Sequence, residues 1–514
     1  MSSCTPKTLI YTHMRSEATR GAIYNYINLI LIVVTGMVLT PFVIRHLGAS
    51  QYGLYSLSAA ILPYLALLDM GMSRTITRYI ARYRNEHDTD GEMRFLAACS
   101  YIYIAIILVI AISGAILYHY SNSIWSHRFT TEELQDVQQM IGIIVMAHVV
   151  IIPGNAFTAI CNGSGLFAFP RAIQPIKLVL RVVGVIILLL CGTQATALIM
   201  LEMALSVVVA IATALYVISK RHYHTFSWQT ATDLRPIIGY SGWIALYAIT
   251  IALQWNMGTL VAGMHFDPST VGIVGIGIMI GNIYGYIAET INRMTLPRAT
   301  RLMAHNPSGK RTTDGMIEVG RLIAIAQWAV IGAFLLFGQS FLTLWAGESY
   351  QPAYYIALAI MLSWQIQQSQ DFGNALIEAS GEVRTLSVIN FIAIFAGVIA
   401  SYFASQCWGI AGLIGSLTGG TIVATIANNI YYRYRLHMQV GRYFTQVYVR
   451  LICATASWVT ILWFMMQMLG YSTSWWCLLA GIALYLIGYV IITYTCVLTP
   501  TERQIVKNYV RPHR

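Results

Sequence analysis

The chain has little charge: only 10% of its 514 residues are Asp, Glu, Lys or Arg, where a soluble domain carries about 25%. That deficit excludes a string of soluble domains, which the length alone would suggest. Paired cysteines are also missing. The eight present (Cys4, Cys99, Cys161, Cys191, Cys407, Cys453, Cys477 and Cys496) are scattered without a CxxC, so neither a disulfide framework nor a structural metal site is expected. No P-loop, GxSxG elbow or HExxH occurs. No cofactor and no enzymatic activity are therefore expected, and any pumping must draw on an ion gradient, the membrane potential or a partner. The first 20 residues lack an apolar core, so a cleaved signal peptide is not expected. None of the twelve histidines is clustered at ligand spacing within a span, and His222 and His224 fall together in a polar connection. Asp88-Thr89-Asp90 spells the DxD that holds a divalent metal in many sugar-nucleotide transferases, but its connection is too short to fold around a nucleotide.

What the sequence does have is apolar residues, 57% of the total. They fall in blocks of about 20 or more, the length that crosses ~30 Å of hydrocarbon. The expected fold is an all-α integral membrane protein with fourteen transmembrane helices. They are expected near 22–45, 52–79, 95–119, 137–159, 172–191, 195–219, 236–263, 269–295, 320–345, 352–378, 385–406, 409–432, 446–469 and 474–498. The longest connections fall near 80–94, 120–136, 220–235, 296–319 and 433–445.

Charge placement gives an orientation. With a cytoplasmic N-terminus, Arg45 and Arg128 lie on the outer side and Arg181 lies within a span. The rest of the 31 Lys and Arg residues fall in cytoplasmic segments or at their helix ends. This positive-inside asymmetry puts both termini in the cytoplasm and accounts for the net charge of +11 without nucleic acid. Arg82, Arg84, Arg94, Lys220, Arg221, Lys310, Arg311, Arg511 and Arg514 read as topology residues facing anionic lipid.

An internal repeat aligns the chain with itself at an offset of 219 residues: Thr40 with Thr259, His46 with His265, Ser50 with Ser269, Gly53 with Gly272, Arg74 with Arg293 and Arg82 with Arg301. The register superposes spans 1 and 2 on spans 7 and 8. Two pseudo-symmetric six-helix lobes around a central cavity follow, over residues 1–225 and 226–440, with two further helices and a tail over 441–514.

Ionisable residues at membrane depth usually face a cavity or a partner. Arg181 sits mid-span, within about one helical turn of the depth of Glu202, which makes it either half of an ion pair or a cavity-lining cation. Arg74 and Arg78 share a face near Asp69, and Arg74 is repeated as Arg293. Asn282, Tyr286, Glu289 and Arg293 form one stripe, in which Glu289 and Arg293 are spaced to pair along the helix. Gln367, Asp371, Asn374 and Glu378 form another, at steps of four, three and four. Such a stripe must line water or another helix. Asp371 is the leading candidate for an ion-coupling carboxylate, with Glu378, Glu289, Asp69 and Glu202 behind it. The alternative for this stripe is a hydrogen-bonded network between helices. Span 1 offers Asn25 and Asn28.

The run from Thr40 to Tyr55 (TPFVIRHLGASQYGLY), the LDMG stretch with the arginines that follow (Leu68 to Arg78), ASGEVRTLSVIN at 379–390 and WGIAGLIGSL at 408–417 together resemble polysaccharide flippases of the multidrug/oligosaccharidyl-lipid/polysaccharide exporter superfamily. The resemblance implies a multi-pass bacterial inner-membrane protein that moves an undecaprenyl-diphosphate-linked oligosaccharide to the outer leaflet by alternating access. O-antigen, capsule or exopolysaccharide assembly would follow, with membrane lipids around the protein and a glycan polymerase or chain-length protein as partner. Some relatives carry cavity arginines on span 1. Asparagines and tyrosines stand there in this chain, which throws the anion-binding role onto Arg74, Arg181 and Arg293, with Arg78 a further cavity candidate. A cation-coupled drug or metabolite antiporter is the second reading. A glycan polymerase or ligase is the third, disfavoured by an outward connection of only about 17 residues near 120–136.

Overall fold

The computed structural model describes residues 6–221, 235–292, 295–304, 308–468, 473–500 and 502–504; within them the side chains of 6–30, 32, 221, 235–244 and 296 are not described. Asn25 and Asn28 belong to that last group. Arg293, His222, His224, Arg511 and Arg514 lie outside the described residues.

Among the described residues sixteen α-helices follow one another, and no strand forms. They are α1 (Pro6–Leu67), α2 (Met72–Asn85), α3 (Thr89–Trp125), α4 (Thr131–Gly163), α5 (Ala168–Leu190), α6 (Ala195–Arg221), α7 (Arg235–His265), α8 (Pro268–Asn292), α9 (Thr295–Met303), α10 (Gly309–Trp345), α11 (Ala353–Ser369), α12 (Asp371–Ala379), α13 (Val383–Arg435), α14 (Val440–Phe444), α15 (Arg450–Met468) and α16 (Trp475–Ile492). Among the described residues, eleven helical segments are long and apolar enough to cross a membrane. Two of these are pairs. Gly48 (φ 78°, ψ 168°) breaks α1 and Gly409 (φ 58°, ψ −141°) breaks α13, both in backbone that favours glycine. The tenth expected span is divided as well, α11 passing to α12 through Gln370. Among the described residues the expected spans fall largely on helix, the second being interrupted by a turn at 68–71 between α1 and α2.

Among the described residues, connections are shorter than the sequence suggests. Polar helix ends read as loops because they leave the hydrocarbon, yet their backbone hydrogen bonds continue. The expected connection at 120–136 contracts to 126–130, between Trp125 and Thr131, where Thr130 and Glu133 form a capping box on α4. The expected connection at 80–94 is mostly helix. There Asp88 accepts from Gly91 N at 2.7 Å, so the DxD is the N-cap and first turn of α3. Arg84, expected to face lipid head groups, instead pairs with Glu92 at 3.0 Å, and Arg82 pairs with Glu86.

The chain divides into two compact units. The first comprises Met1–Ala252 and Ala262–Gly272. Its core gathers Ile76, Ile80, Phe95, Ile110, Ile152 and Cys161 from α2, α3 and α4. Gly53 and Gly272, equated by the repeat, meet inside this unit. A Cβ on Gly272 would lie 3.5 Å from Gly53 Cα, and one on Gly53 would run into the Pro268 carbonyl. Such close backbone approach is how helices associate where lipid supplies no hydrophobic drive.

The second unit comprises Leu253–Val261 and Ile273–Arg514. Its core includes Met316, Ile323, Phe372, Tyr443, Leu451 and Tyr485. The two halves of α13 fold back on each other: Asn428 Nδ2 donates to Asn390 Oδ1 at 2.9 Å, and Gly397 faces Gly420 so closely that a Cβ on either would lie 2.9 Å from the other's Cα. At the open end Arg435 and Tyr431 both donate to Glu382.

Candidate functional site

Within the first unit, α5 and α6 form a hairpin turned at Gly192 (φ 74°). Lys177 and Arg181 are one turn apart on α5 and share a face. Both reach Glu202, eight positions into α6. Lys177 Nζ donates to Glu202 Oε1 at 2.7 Å and to Ser206 Oγ at 2.8 Å. Arg181 Nε lies 2.8 Å from Glu202 Oε2, and its Nη2 donates to the Tyr55 hydroxyl of α1 at 3.1 Å. The Arg181–Glu202 contact is a charge contact without hydrogen-bond alignment, so Oε2, buried from solvent, accepts no hydrogen bond. The side chains are 20%, 32% and 19% exposed for Lys177, Arg181 and Glu202, enough for an incoming group to reach the cations. Two cations and one carboxylate leave a formal charge of +1. At membrane depth such an excess is costly unless an anion completes it.

Lys177 was missed by the sequence reading, which counted it among cytoplasmic helix-end cations. The available signal was its spacing of four from Arg181. Arg321 was missed too: it is buried on α10 and holds Glu502 and the Val497 carbonyl at 3.4 Å. That contact ties the end of the chain to the second core.

Other candidates of this unit have places of their own. Asp69, considered beside Arg74, accepts from Ser73 N at 3.0 Å and from the Tyr103 hydroxyl at 2.9 Å, anchoring the start of α2. Arg74 and Arg78 lie at exposed positions of α2.

In the second unit the stripe expected on one continuous helix is cut at Gln370, whose backbone (φ −94°, ψ 4°) leaves the helical range and whose side chain forms a reciprocal pair of hydrogen bonds with Asn429 at 2.8 Å. Gln254 donates to Gln367 at 2.6 Å, and Gln327 donates to Gln368. Asp371 accepts from Asn374 at 2.7 Å, and Asn374 accepts from Tyr432. Glu289 and Glu378, both exposed, are the charged neighbours that act on Asp371. Most of this stripe is therefore a network joining helices, with three carboxylates gathered at one place in it. The same unit holds an apolar cavity of about 520 Å³ lined by Leu362, Ile366, Ile422 and Ile426, with Asn429 and Arg433 also on its wall.

The profile of the polysaccharide biosynthesis protein family matches residues 18–303. The putative O-antigen transporter of Shigella flexneri is 20% identical over 385 residues, 72% of this chain and 87% of that protein. The uncharacterized membrane protein EpsK of Bacillus subtilis (strain 168) is 21% identical over 511 residues, covering 91% and 93%. Among solved structures, the inward closed conformation of the lipid II flippase MurJ superposes with a TM-score of 0.71 at 11% identity, covering 96% of this chain and 99% of that one. An inward-facing multidrug MATE transporter of the MOP superfamily gives 0.63 at 14% identity over 82% and 96%. At these identities the structural matches speak for the fold. With a profile match over more than half its length, this multi-pass helical membrane protein belongs to the polysaccharide biosynthesis protein family.

Proposed function

We propose that the chain flips an undecaprenyl-diphosphate-linked oligosaccharide from the cytoplasmic to the outer leaflet of a bacterial inner membrane, by alternating access. It would supply the assembly of O-antigen, capsule or exopolysaccharide, with both termini in the cytoplasm and a polymerase or chain-length protein downstream. The observation that carries this reading is the Lys177–Glu202–Arg181 cluster, one anion short of neutrality at membrane depth. A diphosphate carries about two negative charges and needs cationic, hydrated surroundings to pass, while its lipid tail stays in hydrocarbon. Arg74, Arg78 and Arg293 are proposed as further cations along the route, with Asn25 and Asn28 as polar lining. Asp371, with Glu289 and Glu378 near it, is proposed as the coupling carboxylate.

Deleting the gene and complementing with Lys177→Ala/Arg181→Ala tests this. Lipid-linked glycan is expected to accumulate facing the cytoplasm, with the double variant still inserted in the membrane. Normal surface glycan in the double variant would refute the site. Altered drug sensitivity with unchanged glycan would favour the antiporter reading.

A further inference from the structure

Glu202 is an unusual partner for two cations. A guanidinium that only staples helices presents its fork to both oxygens of a carboxylate in two parallel hydrogen bonds. Arg181 instead meets Glu202 through Nε, gives Nη2 to Tyr55, and leaves the buried Oε2 without a hydrogen bond. Lys177 divides its donors between Glu202 and Ser206. The charged groups acting on Glu202 are these two cations, both from α5. The carboxylate thus sits where a bound anion would sit, held by one directed bond, from Lys177, and by the charge of Arg181.

We propose that Glu202 is a built-in stand-in for the cargo's diphosphate. It occupies the Lys177–Arg181 seat when the transporter is empty and is displaced when a diphosphate arrives. Bare cations at this depth would be costly to carry through the return stroke, and the stand-in keeps them paired. The two cations match the charge of the incoming diphosphate, whereas the carboxylate beside it would repel. Glu202 must therefore swing off the seat for cargo to settle, and its return helps push cargo out. Ser206 and Tyr55, already bonded to the cations, keep Lys177 and Arg181 in place during the exchange. The inference rests on the reading of this cluster as a diphosphate site.

The test uses the full chain in lipid nanodiscs, with inorganic pyrophosphate and undecaprenyl diphosphate as probes. Removing the competing charge by Glu202→Gln is expected to tighten binding of both probes about tenfold, and to slow export because release loses its push. Lys177→Met and Arg181→Met are expected to weaken binding of both. In the wild-type protein, modification of Glu202 by a hydrophobic carbodiimide, read by mass spectrometry, is expected to rise when pyrophosphate is added. Unchanged or weaker binding by a folded Glu202→Gln protein overturns the proposal. If that variant does not fold, unchanged or reduced carbodiimide labelling overturns it. Failure of the wild type to bind either probe, or binding indifferent to Lys177→Met and Arg181→Met, removes the diphosphate site itself and this inference with it. Tighter binding of the lipid diphosphate than of pyrophosphate would mark the lipid-linked anion as the source.

Discussion

Lys177 and Arg181 differ in how visible they are from sequence, although they serve one cluster. Arg181 stands out because a charge deep in an apolar run has no local excuse. Lys177 lies closer to the end of the expected span 172–191, where a long amine reaches the interface without help. Only the packing of α6 against α5 reveals that Lys177 joins Arg181 on Glu202. Single Lys177→Ala and Arg181→Ala variants are each expected to cut export about tenfold, measured as surface glycan against the amount of inserted protein. Arg74→Ala is expected to lower export with insertion unchanged. Asp371→Asn is expected to weaken gradient-driven export, and wild-type export by that variant at every pH would discard the coupling role. Asp69→Ala should act differently: its carboxylate holds Ser73 and Tyr103, so the loss is expected in folded yield before activity.

At the scale of elements, the α13 hairpin is the clearest case of backbone approach setting the structure. Gly397→Leu or Gly420→Leu forces a side chain into the facing backbone and is expected to cost a few kcal/mol, seen as loss of the monodisperse peak in size exclusion. The hairpin's open end offers a contrast. The Arg435 guanidinium, by hydrogen bonding, holds the Glu382 carboxyl below its ordinary range. A lowered folded-state pKa means that this contribution is present above the unfolded Glu value and is lost as pH falls through the folded one. Arg435 is exposed and Glu382 partly so, and solvent screens the pair, so Glu382→Gln is expected to lower the melting temperature by only about one or two degrees near neutrality. That difference should vanish well below about pH 4. The break at Gln370 was not legible. The stripe from Gln367 to Glu378 has good helical spacing, and nothing local marks Gln370, whose partner Asn429 lies 59 residues away.

For the molecule as a whole, orientation is the property to test first. The turn at Cys191 between α5 and α6 is exposed. It is expected to react with a membrane-impermeant maleimide from outside the cell, whereas cysteines placed at Asp88 or His437 react only after lysis. The opposite pattern would invert the proposed topology. The number and placement of spans, the family and the presence of charge at membrane depth were all determined by the sequence alone. Hydropathy, glycine breaks and motif residues act locally, and each keeps its meaning wherever its neighbours lie. The tertiary structure decided which charges meet, that Asp69 anchors a helix start, that Arg84 pairs with Glu92, and that Glu202 sits between two cations. Those outcomes depend on helix rotation and relative depth, and a shift of one residue along a helix turns a side chain by about 100° and carries it to another neighbour.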